Sequence, residues 1–276
     1  NGVFGTRMAD IVNRIGGKLI RVEGEWGRAF DPEGEVLLFI HGSGQSHLSW
    51  ILQGRFFANR GWQVLAPDLP GHNLSGGQPL ESCEAVADWC ADLLTAAGVD
   101  QATVIGHSQG GLVALEMAAQ HPARVKKLAM IGAAQAIPVN DFLIDLATKA
   151  EEKAIRFMVS WSHASQGHKF DHTMPGQSHL ATGKEVMGQN SPGVLLNDLK
   201  ACNAYTSGAE AASRVSCPAL LILAKNDRMV PAKIGAKLAE QIADCQSAVI
   251  DDAGHFVQSE KSYETNAALR PFFPPV

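Results

Sequence analysis

Ser108 lies in Gly106-His107-Ser108-Gln109-Gly110, between the apolar run Val104-Ile105 and a stretch of helical pattern. A serine between glycines, after a strand and before a helix, has the context of a nucleophile elbow. So sharp a turn strains the serine backbone, and neighbours without a Cβ let strand and helix close around it. The helix behind it aims its first amides and its dipole at negative charge that develops there. Taken alone, the pentapeptide also reads as a small-residue turn. A serine hydroxyl needs a base, and the base needs an acid to hold its tautomer. Downstream, "LLILAKNDRMVP" puts Asp227 just past one apolar run, and "AVIDDAGHFVQSE" puts His255 just past the last. Singly, Asp227 reads as a turn former and His255 as a loop histidine. Their order, Ser then Asp then His, each in a loop after a strand, matches the order expected of a strand–elbow–helix fold of this kind. Asp251 and Asp252 are the fallback acids.

Attack on a carbonyl builds charge on its oxygen, which two aimed backbone amides would stabilise. Gln109, the residue after the nucleophile, supplies one. The other is expected from His41-Gly42-Ser43-Gly44, which follows the apolar run "LLFI": Ser43 first, with Gly44 as the adjacent alternative. No GxxxxGK[ST] or GxGxxG pattern makes these glycines a phosphate cradle.

These residues need a frame that brings distant loops together. Short apolar runs alternate with amphipathic stretches, the pattern of a parallel sheet covered by helices. Candidate strands are Lys18–Val22, Glu35–Ile40, Gln63–Ala66, Ala102–Ile105, Lys127–Ile131, Ala219–Ala224 and Ser247–Ile250. Candidate helices run near 48–60, 82–97, 108–120, 231–244 and 258–270. Loops at the carboxyl ends of parallel strands share one edge, so three distant residues can converge there. The alternation breaks between 135 and 206, where helical windows such as "DFLIDLATKAEEKAIRFMVSW" occur. This predicts an α/β core over residues 1–134 and 207–276, with a mostly parallel sheet of about eight strands and a helical cap over 135–206. In the cap, Met158 and Trp161 are candidates for an apolar wall over the nucleophile, and His163 for a hydrogen bond to a substrate's polar group. His168 and His172 are four apart with Asp171 between, but the surrounding Gly, Pro and Ser do not promise a continuous helix. No metal site is expected.

The chain has 276 residues, 46% hydrophobic and 18% charged, with a net charge of −5. Such a composition suits a folded soluble protein, and no basic block suggests a nucleic-acid or membrane footprint. An odd count of five cysteines without a CxxC pair argues against a disulfide framework, and no apolar leader is seen, so a cytoplasmic location is expected. Cys83 and Cys90 share the apolar face of a predicted helix with Val86 and Leu94, as core filler.

With these motifs in place, the chain resembles cap-bearing α/β-hydrolase fold proteins with a serine nucleophile. The resemblance rests on His41-Gly42-Ser43-Gly44, "APDLPGHNLS", Gly106-His107-Ser108-Gln109-Gly110-Gly111, "NDRMVP" and Gly254-His255-Phe256. It spans nearly the whole chain except the cap. It departs at Asn73, where glycine is usual; asparagine is the next-best residue for positive φ. Ser108 counts against the epoxide and haloalkane chemistries of relatives with an aspartate nucleophile. The resemblance implies a cofactor-free esterase for a small to medium carboxylic ester; a monomer or homodimer is expected. The same triad would serve lactone or C–C hydrolysis, and a ligand sensor with little turnover is the reading from another class. If His255 is a free base, activity should climb through about pH 6 to 7.

Overall fold

The computed structural model describes residues 34–169, 176–274 and 276. Its strands are β1 (Val36–Ile40), β2 (Gln63–Leu65), β3 (Ala102–His107), β4 (Val125–Ile131), β5 (Ala219–Ala224) and β6 (Cys245–Ile250). They form one six-stranded sheet in the order β2-β1-β3-β4-β5-β6, parallel throughout. The described sheet is thus smaller than the eight or so strands expected; the candidate strand at 18–22 lies outside the described residues.

The helices are α1 (Ile51–Ala58), α2 (Cys83–Ala97), α3 (Gln109–Gln120), α4 (Asp141–Lys149), α5 (Glu151–Ser162), α6 (His179–Gly188), α7 (Val194–Ala204), α8 (Gly208–Arg214), α9 (Ala232–Ala239), α10 (Val257–Glu260) and α11 (Ser262–Phe272). Strand composition follows from burial on both faces. Val36, Leu38 and Ile40 of β1 join one core with Cys83 and Cys90 of α2 and Leu112 of α3. Leu37 and Phe39 point the other way, into a core with Phe57 of α1 and Leu269 of α11. Local chemistry fixes the helix ends. Ser82 caps α2 by accepting from the Ala85 amide at 3.1 Å, and Gly98 closes it at φ 74°; both are preferred terminators.

The order reverses at β1: β2 lies on one side of it and β3 on the other. Crevices at such switch points, beyond the strand carboxyl ends, are where open α/β sheets bind ligands. Between β4 and β5 the chain leaves the sheet for α4–α7, whose apolar faces form a separate small core that includes Leu143, Met158, Val159, Leu195 and Leu199. The window read as one helical stretch is two helices, broken at Ala150 (φ −158°, ψ 69°). After the insertion, Ala211 and Ala212 of α8 pack back into the main core. Among the described residues no helix is long and apolar enough to cross a membrane. All five cysteines are free.

Candidate active site

β3 delivers Ser108 directly into α3, with φ 55° and ψ −121°. A non-glycine residue held there stores roughly 1–3 kcal/mol, which the surrounding structure must impose. The imposition is visible in the neighbouring glycines. A Cβ on Gly106 would collide with the Gly110 carbonyl, and one on Gly110 with the Ile40 and His41 carbonyls. One on Gly42 would meet Ser108 Cβ at 3.2 Å. The elbow and the loop after β1 are therefore in direct contact.

Asp227 follows β5 and is buried. Its Oδ1 accepts from the Met229 and Val230 amides at 2.8 and 2.9 Å, and its Oδ2 faces His255 Nδ1 at 2.8 Å. With a carboxylate at Nδ1, that nitrogen carries the proton and Nε2 is left as the base. Asp251 instead pairs with Lys225 at the surface, and Asp252 is an exposed turn residue at φ 54°. Gly132, after β4, leaves room for the pair; a Cβ there would meet His255 Nδ1 at 3.3 Å.

The His255 backbone is held on both sides. Its N–H donates to the Ser162 carbonyl at 2.6 Å, and its carbonyl accepts from His107 Nε2 at 2.9 Å. His107 is therefore neutral with its proton on Nε2; burial, and then the neighbouring His255, hold its pKa well below the usual histidine range. Glu260 bridges the Gly254 and Ala164 amides at 3.0 and 2.9 Å, and burial pushes its carboxyl up to about 7. Neither His107 nor Glu260 was assigned a role by the motif pattern, because His107 acts on backbone 148 residues away and Glu260 ties Gly254 to the insertion at Ala164, 96 residues away.

Ser108, His255 and Ser43 line one cavity of about 340 Å³, enclosed on the other side by Met158, Trp161 and Leu199 of the insertion. Ser43 Oγ donates to Gln109 Oε1 at 2.9 Å, which joins the two loops. The Gly44 amide donates to Asp198 and the Gln45 amide to Gly42. The Ser43 amide has no acceptor among the described residues. Of the three insertion residues singled out, Met158 is buried in the cavity wall, and Trp161 is 44% exposed with Arg228 over its ring. His163 is not on this wall. It stacks on Phe256, donates to the Val159 carbonyl at 2.7 Å and borders a neighbouring pocket. Burial pushes it down to about 4, so it is a neutral packing group there. His168 bonds the Ser160 carbonyl, while Asp171 and His172 lie outside the described residues.

Asn73 has φ 41°, as expected for a glycine substitute. Its amide donates to Asn190 of the insertion and its side chain to Asp68.

The chain is 28% identical over 252 residues to 2-hydroxy-6-oxo-6-phenylhexa-2,4-dienoate hydrolase of Comamonas testosteroni, covering 85% of this chain and 86% of that protein. The enol-lactonase of Burkholderia xenovorans LB400 superposes with a TM-score of 0.80 at 21% identity, over 91% of this chain and 94% of that one. A thermophilic esterase of Thermogutta terrifontis gives 0.76 at 21% identity, over 87% and 89%. The family model of the α/β hydrolase fold matches residues 35–262, from β1 to the start of α11. The sheet order, the strained serine and this match agree: the chain belongs to the α/β-hydrolase fold family.

Proposed function

We propose that this protein is a serine hydrolase that cleaves a small to medium carboxylic ester through an acyl-enzyme. The observation that carries this reading is the strained Ser108 sharing one cavity with His255, whose Nδ1 is held by buried Asp227. His255 Nε2 takes the Ser108 proton as Oγ attacks the carbonyl, then gives it to the leaving alcohol. Asp227 fixes the ring and stabilises the imidazolium. The Gln109 amide, at the first position of α3, and the Ser43 amide hold the oxyanion. Gly44, the other candidate, has its amide committed to Asp198, which favours Ser43. Water then clears the acyl group with the same base. The helical segment 135–206 acts as the cap, and Met158 and Trp161 shape the substrate's apolar part.

Lactone or C–C hydrolysis on the same residues is the second reading, supported by what the Comamonas relative and the Burkholderia neighbour are named for. A panel of p-nitrophenyl esters, lactones and vinylogous diketones separates the two. Ser108→Ala should lower turnover of the best substrate at least about 10³-fold with unchanged thermal unfolding. An unchanged rate would refute the mechanism.

A further inference from the structure

The loop that carries Ser43 is held by groups from three parts of the chain. In its first peptide plane, the Gly42 carbonyl accepts from His41 Nδ1 at 3.0 Å and from the Gln45 amide at 3.1 Å. That plane also contains the Ser43 N–H, so pinning the carbonyl fixes the direction of the amide. The peptide plane after Ser43 is pinned from the insertion. In it the Gly44 N–H donates to Asp198 Oδ2 at 2.7 Å; in the plane after that, Asn190 Nδ2 donates to the Gly44 carbonyl at 2.6 Å. Gly44 itself is at φ +65°, and a Cβ there would meet Leu195 of α7 at 2.9 Å.

Asp198, on α7, is buried. The same oxygen that takes the Gly44 amide lies 2.8 Å from His72 Nε2, and His72 Nδ1 lies 3.0 Å from the Pro70 carbonyl. With an acceptor at each ring nitrogen, His72 is satisfied at both only as the imidazolium. Asp198 and His72 are thus a buried ion pair. Such a pair is no more stabilising than well-packed apolar residues would be, because desolvation offsets the attraction. Fold stability alone does not call for it; its place against Gly44 does.

We infer that Asp198 is a positioning residue: from the insertion, it holds the Ser43 amide in the direction that stabilises the oxyanion. This rests on the serine-hydrolase reading and extends it. α7 then takes part in the chemical step as well as in choosing substrate.

The probe is an alkyl fluorophosphonate, which needs no knowledge of the substrate. Ser108 Oγ bonds to phosphorus, fluoride leaves, and His255 takes the serine proton. Asp198→Asn should slow labelling, and kcat on the best ester, by about 10- to 100-fold, part of the loss seen when an oxyanion donor is removed. KM should stay within about 3-fold, because ground-state binding is left in place. Asn190→Ala, at a half-buried site, releases the other side of Gly44 and should give a smaller loss of the same kind; it serves if Asp198→Asn does not fold. Asn197→Ala removes a different tie between α7 and the core, to the Leu80 carbonyl at 2.7 Å, and should leave labelling unchanged. Wild type that is not labelled sinks the hydrolase reading and this inference with it. Labelled wild type with equally fast Asp198→Asn, or with equally fast Asn190→Ala where the first does not fold, overturns this inference alone. A loss carried by KM does the same.

Discussion

The strand-end loops and the helical insertion form opposite walls of one cavity, and they are built on different terms. At the elbow, backbone meets backbone: Gly106 against Gly110, Gly110 against the end of β1, Gly42 against Ser108. Nothing flexible lies between these atoms, so each residue has one position. In the insertion, α4–α7 meet through Leu, Met and Val side chains around a small core of their own. Side chains repack at modest cost, whereas crowded backbone cannot. The elbow is thus held by backbone contact, and the core of the insertion by side-chain packing.

Substitutions on each wall test that contrast. Gly110→Ala puts a Cβ against two carbonyls and should cost about 3 kcal/mol or more, read as a lower urea midpoint. A loss under about 1 kcal/mol would show that strand and helix can part, and the contrast would fail. Met158→Ala on the other wall should cost about 2 kcal/mol, at the low end for such a truncation because the side chain already borders a cavity. Its larger effect should be a shift in acyl preference towards bulkier chains at nearly unchanged kcat, measured on an ester series. A drop in kcat for every ester would mean that the insertion wall is as rigid as the elbow.

The smallest effect concerns the contact that joins the walls. Burial opposes charge on His72, yet Asp198 from α7, the Pro70 carbonyl and Asp68 of its own loop outweigh it and raise its pKa. His41, whose ring lies 4.9 Å away, stays neutral because burial and the His72 charge push it down to about 4. A histidine with a raised folded pKa contributes its full stabilisation below the unfolded value of about 6.5, and loses it as pH rises through the folded value. Urea midpoints should therefore fall as pH rises above about 6.5, and Asp198→Asn should flatten that slope. An unchanged slope in the variant would detach the ion pair from stability.

The same contrast governs what could be read in the sequence. "VLLFI" and "ALLILA" announced buried strands because both faces are covered, whereas β6, "CQSAVI", is half exposed and was caught only in its last four residues. Asp227 and His255 could be singled out because each follows a strand in the expected order, and their side chains lie 2.8 Å apart. Asn73 was legible as a positive-φ residue from its type alone. Asp198 was not, since "VLLNDLKACNA" looks like any amphipathic helix and its partners lie 126 and 154 residues away. His163, a candidate for a hydrogen bond to substrate, stacks on Phe256 and borders the neighbouring pocket, a placement that only the fold reveals.

The two bonds on the His255 backbone have a mechanical meaning. One comes from His107 at the end of β3, the other goes to Ser162 at the end of α5. His255 is in effect a rivet between sheet and insertion. If α5 swung out at that end to admit a substrate, it would pull on the group that must stay aligned with Ser108. Displacing that end of α5 would therefore disturb His255, whereas a change at the other end, where α4 and α5 meet at Ala150, would leave both bonds in place.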